Sequence, residues 1–380
     1  MTIGYFAPLP PLRSGVAEYA AALLERMPEA RVDSDGDVNL YQVGNNQLHR
    51  DIYRRAIACP GVVLLHDAVL QHFFLGSLTE SEYVNEFVYN YGEWSRDLGR
   101  DLWRNRARSG SDARYFEYPM LRRVAETSLA VIVHNPAAAE AVRRHSRHRA
   151  TPLEIVEIPH LYVPPADPPA TYEIVRLREE LGFGARTSVF AVFGYLRESK
   201  RLINILRAFD AIRRQADVGL LIAGEFVSPD LERAAEPLLA KPGIVRIPYL
   251  SERDFWLHAA AIDVCLNLRY PTAAETSGIG VRLMGIGKPV LFTAGDELRS
   301  IPDSACVRVD GGPGEVAMIS RMMSWLAHYP VDAREIGRRA ANQIATHHDA
   351  SHCAEAFSKT CHNALAQKLK NNKAETAPCA

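Results

Sequence analysis

The sequence predicts an α/β protein made of two doubly wound domains. At 380 residues the chain exceeds the usual size of one hydrophobic core, so two domains are expected. In both halves, short apolar runs alternate with longer amphipathic segments, which is the pattern of strands and helices around a parallel sheet. Between the halves, residues 164–169 hold four prolines in six positions, which suits a linker and neither a helix nor a central strand.

Composition excludes several classes of protein. Hydrophobic residues make up 47% of the chain and charged residues 23%, as in ordinary globular proteins. The net charge of -1 argues against nucleic acid as a main partner, because binding to a phosphate backbone depends on an excess of Lys and Arg. No apolar run approaches the length of a membrane span and no signal peptide is evident, so we expect a cytoplasmic protein without a transmembrane segment. Peripheral contact with the inner face of a membrane stays open.

Metal-capable side chains do not form a convincing site in the sequence. The six cysteines lie far apart without a CxxC pair, so free thiols are expected. The densest group of candidate ligands falls within residues 347–353, with no further ligand nearby in sequence. We therefore predict no metal.

The first half, residues 1–165, is predicted to form the N-terminal domain. Its strand candidates are residues 3–7, 38–43, 61–65, 129–133 and 155–158. Each ends in a loop of polar residues, glycine or proline, which is where doubly wound domains place ligand-facing side chains. A C-terminal helix at about 351–367 is a candidate to pack back on this domain.

Polar residues at these strand ends are the candidate site of the N-terminal domain. After the first strand, Gly15 can let the backbone approach a phosphate and Arg13 can reach one, although a surface turn explains the same loop. His66 can bind a sugar hydroxyl, and Asp67 can orient it or bind the acceptor. His134 is a second acceptor-binding candidate. For a lone histidine at a strand end, the alternative is a purely structural hydrogen bond.

Residues 166–350 are predicted to form the C-terminal domain. Its strand candidates are residues 189–193, 218–223, 244–247, 264–268 and 290–293, with helices from residue 313 onward. The polar tail at 368–380 is expected to be disordered.

The stretch that follows residues 264–268 predicts an anion site. Thr276, Ser277 and Gly278 can open a helix there, and the first amides of a helix lack partners inside it and carry the positive end of its dipole. Glu275 would be repelled by an anion unless it faces hydroxyl groups. A nucleotide-sugar offers both a diphosphate and a sugar, while an ordinary capped helix remains the alternative.

These motifs together resemble the GT-B class of glycosyltransferases, and in particular the large retaining family numbered four. The resemblance covers nearly the whole chain. It rests on the two α/β halves, on the loop at 194–200, on Gly224-Glu225, and on the stretch from Glu275 to Gly278 that leads into residues 287–290. It implies two Rossmann-like doubly wound domains facing a cleft, with the nucleotide-sugar on the C-terminal domain and the acceptor on the N-terminal one.

The resemblance also assigns roles in donor binding. Lys200 matches the lysine that clamps the diphosphate, while Tyr195 stands where an arginine is common and Arg197 is a substitute for it. Arg282 falls where a second glutamate is expected on the nucleotide ribose. Gly194, Gly224 and Glu225 complete the predicted donor site.

The implied activity is transfer of a sugar from a nucleotide-diphosphate sugar to an acceptor hydroxyl with retention, without metal or further cofactor. The predicted catalytic residues are His66, Lys200 and Glu275. The acceptor would be a saccharide, a lipid-linked molecule or a small molecule, most commonly in cell-surface polysaccharide or glycoconjugate synthesis. Two alternatives stay open: a sugar-nucleotide epimerase on the same fold, and a degenerate transferase that serves as a non-catalytic partner subunit. A dehydrogenase is disfavoured, because no GxGxxG follows the first strand.

Overall fold

Every strand pairing in the computed structural model is parallel, and the strands form two separate six-stranded sheets. The structure describes residues 1–12 and 14–375, and for 371–375 the backbone alone. The strands are β1 (Ile3–Phe6), β2 (Ala30–Val32), β3 (Val38–Val43), β4 (Val62–Leu65), β5 (Ala130–Val133), β6 (Glu154–Glu157), β7 (Ser188–Phe193), β8 (Val218–Ala223), β9 (Ile244–Ile247), β10 (Val264–Asn267), β11 (Val290–Thr293) and β12 (Val307–Val309).

Helices occupy most of the chain between the strands. They are α1 (Gly15–Leu24), α2 (Arg50–Ala58), α3 (Gln71–Ser77), α4 (Glu80–Tyr91), α5 (Arg96–Arg104), α6 (Arg114–Glu117), α7 (Arg122–Thr127), α8 (Pro136–His145), α9 (Thr171–Glu180), α10 (Leu202–Ile212), α11 (Pro229–Leu239), α12 (Glu252–Ala261), α13 (Gly278–Gly285), α14 (Glu315–His328), α15 (Pro330–His347) and α16 (Ala350–Glu375). Several begin at a side chain that accepts from the first turn, as Asn135 does at α8 and Ser277 at α13.

The chain divides into two compact units, which we call unit 1 and unit 2. Unit 1 contains Met1–Leu161, Thr272–Thr276 and the segment from His348 onward, and unit 2 contains Tyr162–Pro271 and Ser277–His347. The central strands of each unit are apolar and almost fully buried, as parallel strands covered on both faces must be. The prediction of two doubly wound α/β domains is confirmed.

The order of the strands locates one switch point in each sheet. In unit 1 the order is β2-β1-β3-β4-β5-β6, so β2 lies on one side of β1 and all later strands lie on the other. The switch point of this sheet therefore falls between β1 and β3. In unit 2 the order is β12-β11-β10-β7-β8-β9, and the reversal falls between β7 and β10. Ligands of open α/β sheets bind outside the carboxyl ends of the strands at such points. In unit 2, this rule places a candidate ligand site at the loops after β7 and β10.

Three features differ from the predicted bounds. The first crossing between units lies between Leu161 and Tyr162, ahead of the expected boundary after residue 165, and Thr272–Thr276 belongs to unit 1 instead of the C-terminal domain. Helix α16 continues to Glu375, so residues 368–375 are helical where disorder was expected, while the rest of that predicted tail lies outside the described residues. Within the described residues, no helix combines the length and the apolar character that crossing a membrane requires.

Candidate active site

Two glycines shape the edge of unit 2 where β7 and β8 end. Gly194, directly after β7, has a φ of 79°, a left-handed conformation that favours glycine. A Cβ at Gly224, directly after β8, would lie 2.3 Å from the Gly194 carbonyl oxygen. Both positions thus require glycine for backbone reasons. The structure explains Gly224, a predicted donor-binding residue, by this close approach of two loops.

Lys200 lies at the end of the loop after β7, in a single 3-10 turn (Glu198–Lys200). Its side chain is buried, and its ammonium donates to the carbonyl oxygen of Phe193. Burial, and then the nearby charges of Arg269 and Arg197, hold the pKa of Lys200 well below its usual value. The lysine is therefore buried, with Arg269 and Arg197 as charged neighbours.

The start of helix α13 faces the same edge of the sheet. Ser277 Oγ caps the helix by accepting from the amide of Gly280 at 3.1 Å. The side chains of Asn267 and Arg269, at the end of β10, donate to the same oxygen at 2.7 and 3.2 Å. The first amides of the helix, those of Gly278 and Ile279, have no acceptor inside a helix. Their partial positive charge adds to that of the arginine.

Lys200 and the first turn of α13 both lie close to Gly194. A Cβ placed on Gly194 would lie 3.1 Å from Lys200 Nζ and 3.8 Å from Ile279 Cγ1. The loop after β7 and the first turn of α13 therefore converge at the switch point of unit 2. A buried ammonium, an arginine and a helix start at one edge are features that suit the binding of an anion.

Arg269 was not among the residues that the sequence singled out. Its position two residues beyond β10 is a signal that could have found it, because that loop borders the switch point once the strand order is known. The strand order, however, is not readable from the apolar runs alone.

The remaining predicted residues of the loop after β7 lie nearer to solvent. Tyr195 is 43% exposed, and Arg197 is exposed as well. Glu225, after β8, is exposed, and its carbonyl accepts from the amide of Leu196 at 2.8 Å. Of these side chains, Arg197 contributes its charge to the surroundings of Lys200.

Arg282 has contacts of another kind. Its guanidinium stacks 3.9 Å from the ring centre of Phe255 and 4.3 Å from that of Trp256, and it pairs with the carboxylate of Glu252. All three partners lie on α12. These contacts pack α13 against α12, and the donor-binding role of Arg282 stays a prediction.

Glu275 lies in unit 1, in the segment Thr272–Thr276. Its carboxylate accepts from the hydroxyl of Thr272 at 3.1 Å and from the amide of Ala273 at 2.8 Å. The turn is tight, since Ala274 has a φ of 54°. Glu275 thus caps its own turn, and these hydrogen bonds hold the carboxylate in one orientation.

Asn135 fastens this segment to unit 1. Its side-chain amide donates to the carbonyl of Ala274 at 2.9 Å and to the hydroxyl of Thr276 at 3.0 Å, while the amide of Ala68 donates to the carbonyl of Ala273 at 2.8 Å. Thr276 and Ser277, neighbours in sequence, therefore belong to different units. The sequence had placed both in one phosphate-binding turn.

His66 lies directly after β4 and is half-buried. Its Nε2 is 2.9 Å from Gln42 Oε1, and its ring stands edge-on to Tyr19 with 5.0 Å between the ring centres. Burial and the neighbouring imidazoles hold the pKa of His66 well below its usual value. The ring is therefore neutral at pH 7.

Two further histidines share this edge of unit 1. His134 and His160 lie with ring centres 5.3 Å apart, and Tyr19 packs edge-on against both. Burial lowers the pKa of His134 to about 4 and that of His160 to about 3. His134 Nδ1 donates to the carbonyl of Ile158 at 2.9 Å, and its Nε2 is buried without a partner among the residues described. The contact between His134 and an acceptor stays a prediction.

The remaining site residues predicted in the N-terminal half are Asp67, Gly15 and Arg13. Asp67 accepts from the amide of Asn45 at 2.8 Å, which ties the loop after β4 to the loop after β3. Gly15 begins α1, and a Cβ there would meet nothing within 4 Å, so packing does not require glycine at this position. Arg13 lies outside the described residues.

Solved structures resemble nearly the whole chain, although no protein-family model and no curated protein matches its sequence. HepE from Anabaena, solved with UDP and glucose, is 14% identical, covers 96% of this chain and all of its own, and has a TM-score of 0.68. Sucrose-phosphate synthase from Thermosynechococcus elongatus is 13% identical over 97% of this chain and all of its own, with a TM-score of 0.64. The fold is GT-B.

A glycosyltransferase from Rickettsia africae shares this GT-B fold. It is 12% identical, covers 96% of this chain and 98% of its own, and has a TM-score of 0.56. At such identities the likeness is one of fold, so the chemistry must be argued from the residues of this chain. Among the described residues, no group of three or more His, Cys, Asp or Glu side chains is placed to hold a metal ion.

Proposed function

We propose that this chain is a glycosyltransferase that moves a sugar from a nucleotide-diphosphate sugar to an acceptor hydroxyl. One observation carries the proposal. In unit 2, the ammonium of Lys200, the guanidinium of Arg269 and the start of α13 meet at the switch point of a parallel sheet. The GT-B neighbour from Anabaena, solved with UDP and with UDP-glucose, supports a nucleotide diphosphate as the anion.

The charge in unit 2 suits a leaving group. When a glycosidic bond to a diphosphate breaks, negative charge grows on the phosphate oxygens. A preorganised cation in a dry setting stabilises that charge more in the transition state than in the ground state. Lys200 is buried and held by the carbonyl of Phe193, so it needs no reorganisation when the charge appears. Lys200 is therefore the main catalytic group of the proposal.

The side chains of unit 1 suit hydroxyl groups. His66 is neutral and Glu275 is oriented by its own turn. Neutral imidazole and carboxylate both accept hydrogen bonds, as the hydroxyls of a sugar require. We assign them the positioning of sugar rings, with acceptor binding also in unit 1.

The finer parts of the proposal come from the family resemblance. They are retention at the anomeric carbon with the leaving phosphate assisting the attacking hydroxyl, independence from metal, and a role in polysaccharide or glycoconjugate synthesis on the cytoplasmic side of a membrane. Retention is checked by NMR of the first product formed. Metal independence is checked by activity in the presence of EDTA.

Calorimetry with nucleotide diphosphates tests the proposal directly. We expect saturable binding of one or more of UDP, GDP, ADP and TDP, and a panel of the matching sugar nucleotides then identifies the donor. A bound ligand at about a hundred times its dissociation constant stabilises a protein by about 2.7 kcal/mol, so thermal shifts give a second readout. Absence of binding to all four diphosphates would favour a non-catalytic partner subunit.

Incubation with the donor alone separates the remaining alternative. A transferase leaves the sugar unaltered until an acceptor is supplied, apart from slow hydrolysis. An epimerase releases a changed sugar nucleotide from the donor alone. Formation of such a product would replace the transferase by the epimerase.

A further inference from the structure

A buried chain of hydrogen bonds in unit 1 has a direction that the backbone sets. The hydroxyl of Tyr5, on β1, donates to the carbonyl of Ala20 at 2.7 Å. A carbonyl oxygen only accepts, so the single proton of this hydroxyl is committed. Any further partner of the Tyr5 oxygen must therefore donate to it.

The side chain of Gln42, on the neighbouring strand β3, is that partner. Its Nε2 lies 2.5 Å from the Tyr5 oxygen, and both residues are fully buried. If the amide were flipped, Gln42 Oε1 would face the Tyr5 oxygen with no proton between them. The orientation of the amide thus follows from the donor role of Tyr5, and Oε1 points away from Tyr5.

Gln42 Oε1 contacts the side chain of His66, which lies directly after β4. It lies 2.9 Å from His66 Nε2, and an amide oxygen only accepts, so Nε2 carries the proton. In a neutral imidazole the other nitrogen is then bare. Among the residues that the structure describes, His66 Nδ1 has no hydrogen-bond partner.

We propose that Gln42 is a positioning residue that fixes His66 in the tautomer with a bare Nδ1, so that His66 recognises ligands by accepting a hydrogen bond from a hydroxyl group. The proposal rests on the transferase function for the identity of the ligand, a sugar hydroxyl. The assignment of the tautomer itself does not depend on that function.

The consequence is selectivity by chemical class. A bare Nδ1 accepts a hydrogen bond from a hydroxyl and offers no proton to a carboxylate or phosphate. His66 would then favour a neutral sugar over a sugar that carries an acidic group at the same place. It would also not act as a general acid through Nδ1.

Two variants break the chain at different links. Tyr5→Phe removes only the hydroxyl that orients the amide, and Gln42→Met removes the acceptor while keeping a similar shape. Tyr83→Phe is the matched control, because the buried hydroxyl of Tyr83 also bonds a glutamine, Gln71 Oε1 at 2.7 Å, in a separate network. All three are compared with the unaltered full chain.

The decisive measurement is NMR of the ¹⁵N-labelled imidazoles, with the His66 signals identified by their loss in His66→Asn. We expect the unaltered chain and Tyr83→Phe to show His66 protonated on Nε2 alone. Tyr5→Phe and Gln42→Met should show a mixture of tautomers or the Nδ1-protonated form. With an active donor and acceptor, these two variants should also lose about tenfold in kcat/KM, the effect of one misdirected hydrogen bond.

Two results would overturn the proposal: a proton on Nδ1 in the unaltered chain, or a tautomer unchanged in both Tyr5→Phe and Gln42→Met. A chain that shows the expected tautomer but transfers no sugar would instead refute the proposed function alone. Folding of each variant is checked by circular dichroism. If Gln42→Met does not fold, Tyr5→Phe carries the test by itself.

Discussion

The carboxyl edges of the two sheets carry opposite kinds of polar side chains. In unit 1 the edge holds neutral imidazoles that pack around Tyr19. The pKa values of these histidines are lowered chiefly by burial. In unit 2 the edge holds the buried Lys200 together with Arg269. One edge therefore presents acceptors for hydroxyl groups, and the other presents positive charge for an anion.

A second contrast, inside unit 2, is between two lysines that have different partners. Lys200 and Lys288 are both lysines in buried surroundings, and burial lowers the pKa of each. Lys288, which precedes β11, donates to the carbonyls of Ala260 and Ile262 at 2.8 and 2.7 Å and has the charge of Asp263 nearby. Lys200 donates to a single carbonyl and has arginines for neighbours. A buried charge is costly unless an anion compensates it, and a phosphate ligand near Lys200 would supply that anion.

Lys200→Met is expected to have the largest effect. Removing a preorganised cation that meets the departing diphosphate should lower turnover on the order of a hundredfold, about 2.7 kcal/mol in transition-state stabilisation. Binding of the nucleotide diphosphate should weaken as well. Steady-state kinetics with the identified donor, together with calorimetry, measure both.

Lys288→Met is the matched control for that prediction. It leaves two part-buried carbonyls without their donor, so we expect a loss of about 1 to 3 kcal/mol in the free energy of unfolding. Diphosphate affinity should stay within about twofold of the unaltered chain. If Lys288→Met lowers affinity as much as Lys200→Met does, the contrast between the two lysines is wrong.

The imidazoles of unit 1 predict a loss of stability in acid. Burial lowers the pKa of His134 to about 4, while the unfolded chain titrates near the ordinary 6.5. Below pH 6.5 the unfolded state therefore binds more protons, so the stability from His134 is present above that pH and falls as pH drops towards 4. Between about pH 6.5 and about pH 5, this histidine alone should account for about 1.5 kcal/mol.

Denaturant unfolding at several pH values checks this prediction. His134→Asn should flatten the acid loss by that amount, whereas His352→Asn, at a position 80% exposed in its side chain, should not change it. An unaltered slope in His134→Asn would show that the imidazole is not kept neutral by the fold.

Binding of a nucleotide diphosphate near Lys200, in unit 2, should also depend on pH. The pKa of Lys200 is well below its ordinary 10.5 before an anion binds, and a diphosphate raises it by favouring the ammonium. Binding then takes up a proton, so affinity is highest at low pH and falls as pH rises through the depressed pKa, by at most about tenfold per pH unit. Calorimetry from about pH 7 upward, where the charge of the phosphates is constant, in two buffers of different ionisation enthalpy measures the uptake. Lys200→Met should abolish it.

The strands that carry these edges were readable from the sequence as apolar runs, and β3, β8 and β11 among them are almost fully buried. The apolar runs at 38–43, 218–223, 244–247 and 290–293 coincide with β3, β8, β9 and β11. Strands β2 and β12 were missed, since each has three residues and lies at the outer edge of its sheet, where a long apolar run is not needed.

The site was only partly readable, because its decisive contacts join residues far apart in the chain. Lys200 was predicted from its motif, and that prediction did not include its burial. The attachment of Thr272–Thr276 to unit 1 depends on Asn135, more than a hundred positions earlier, and no local pattern signals such a hydrogen bond. The direction imposed on His66 by Gln42 and Tyr5 likewise needs three neighbouring strands of one sheet.

Substitution of Arg282 is expected to have the smallest effect. It tests whether the family resemblance or the observed contacts predict the role of this residue. Its position suggests nucleotide binding, but its guanidinium stacks on Phe255 and Trp256 and pairs with Glu252. Arg282→Met keeps much of the apolar contact and removes the charge, so we expect a loss of about 1 kcal/mol in the free energy of unfolding. Diphosphate affinity should not change, because the anion site depends on Lys200 and Arg269. A tenfold loss of affinity with unchanged stability would instead place Arg282 at the nucleotide, as the family pattern predicts.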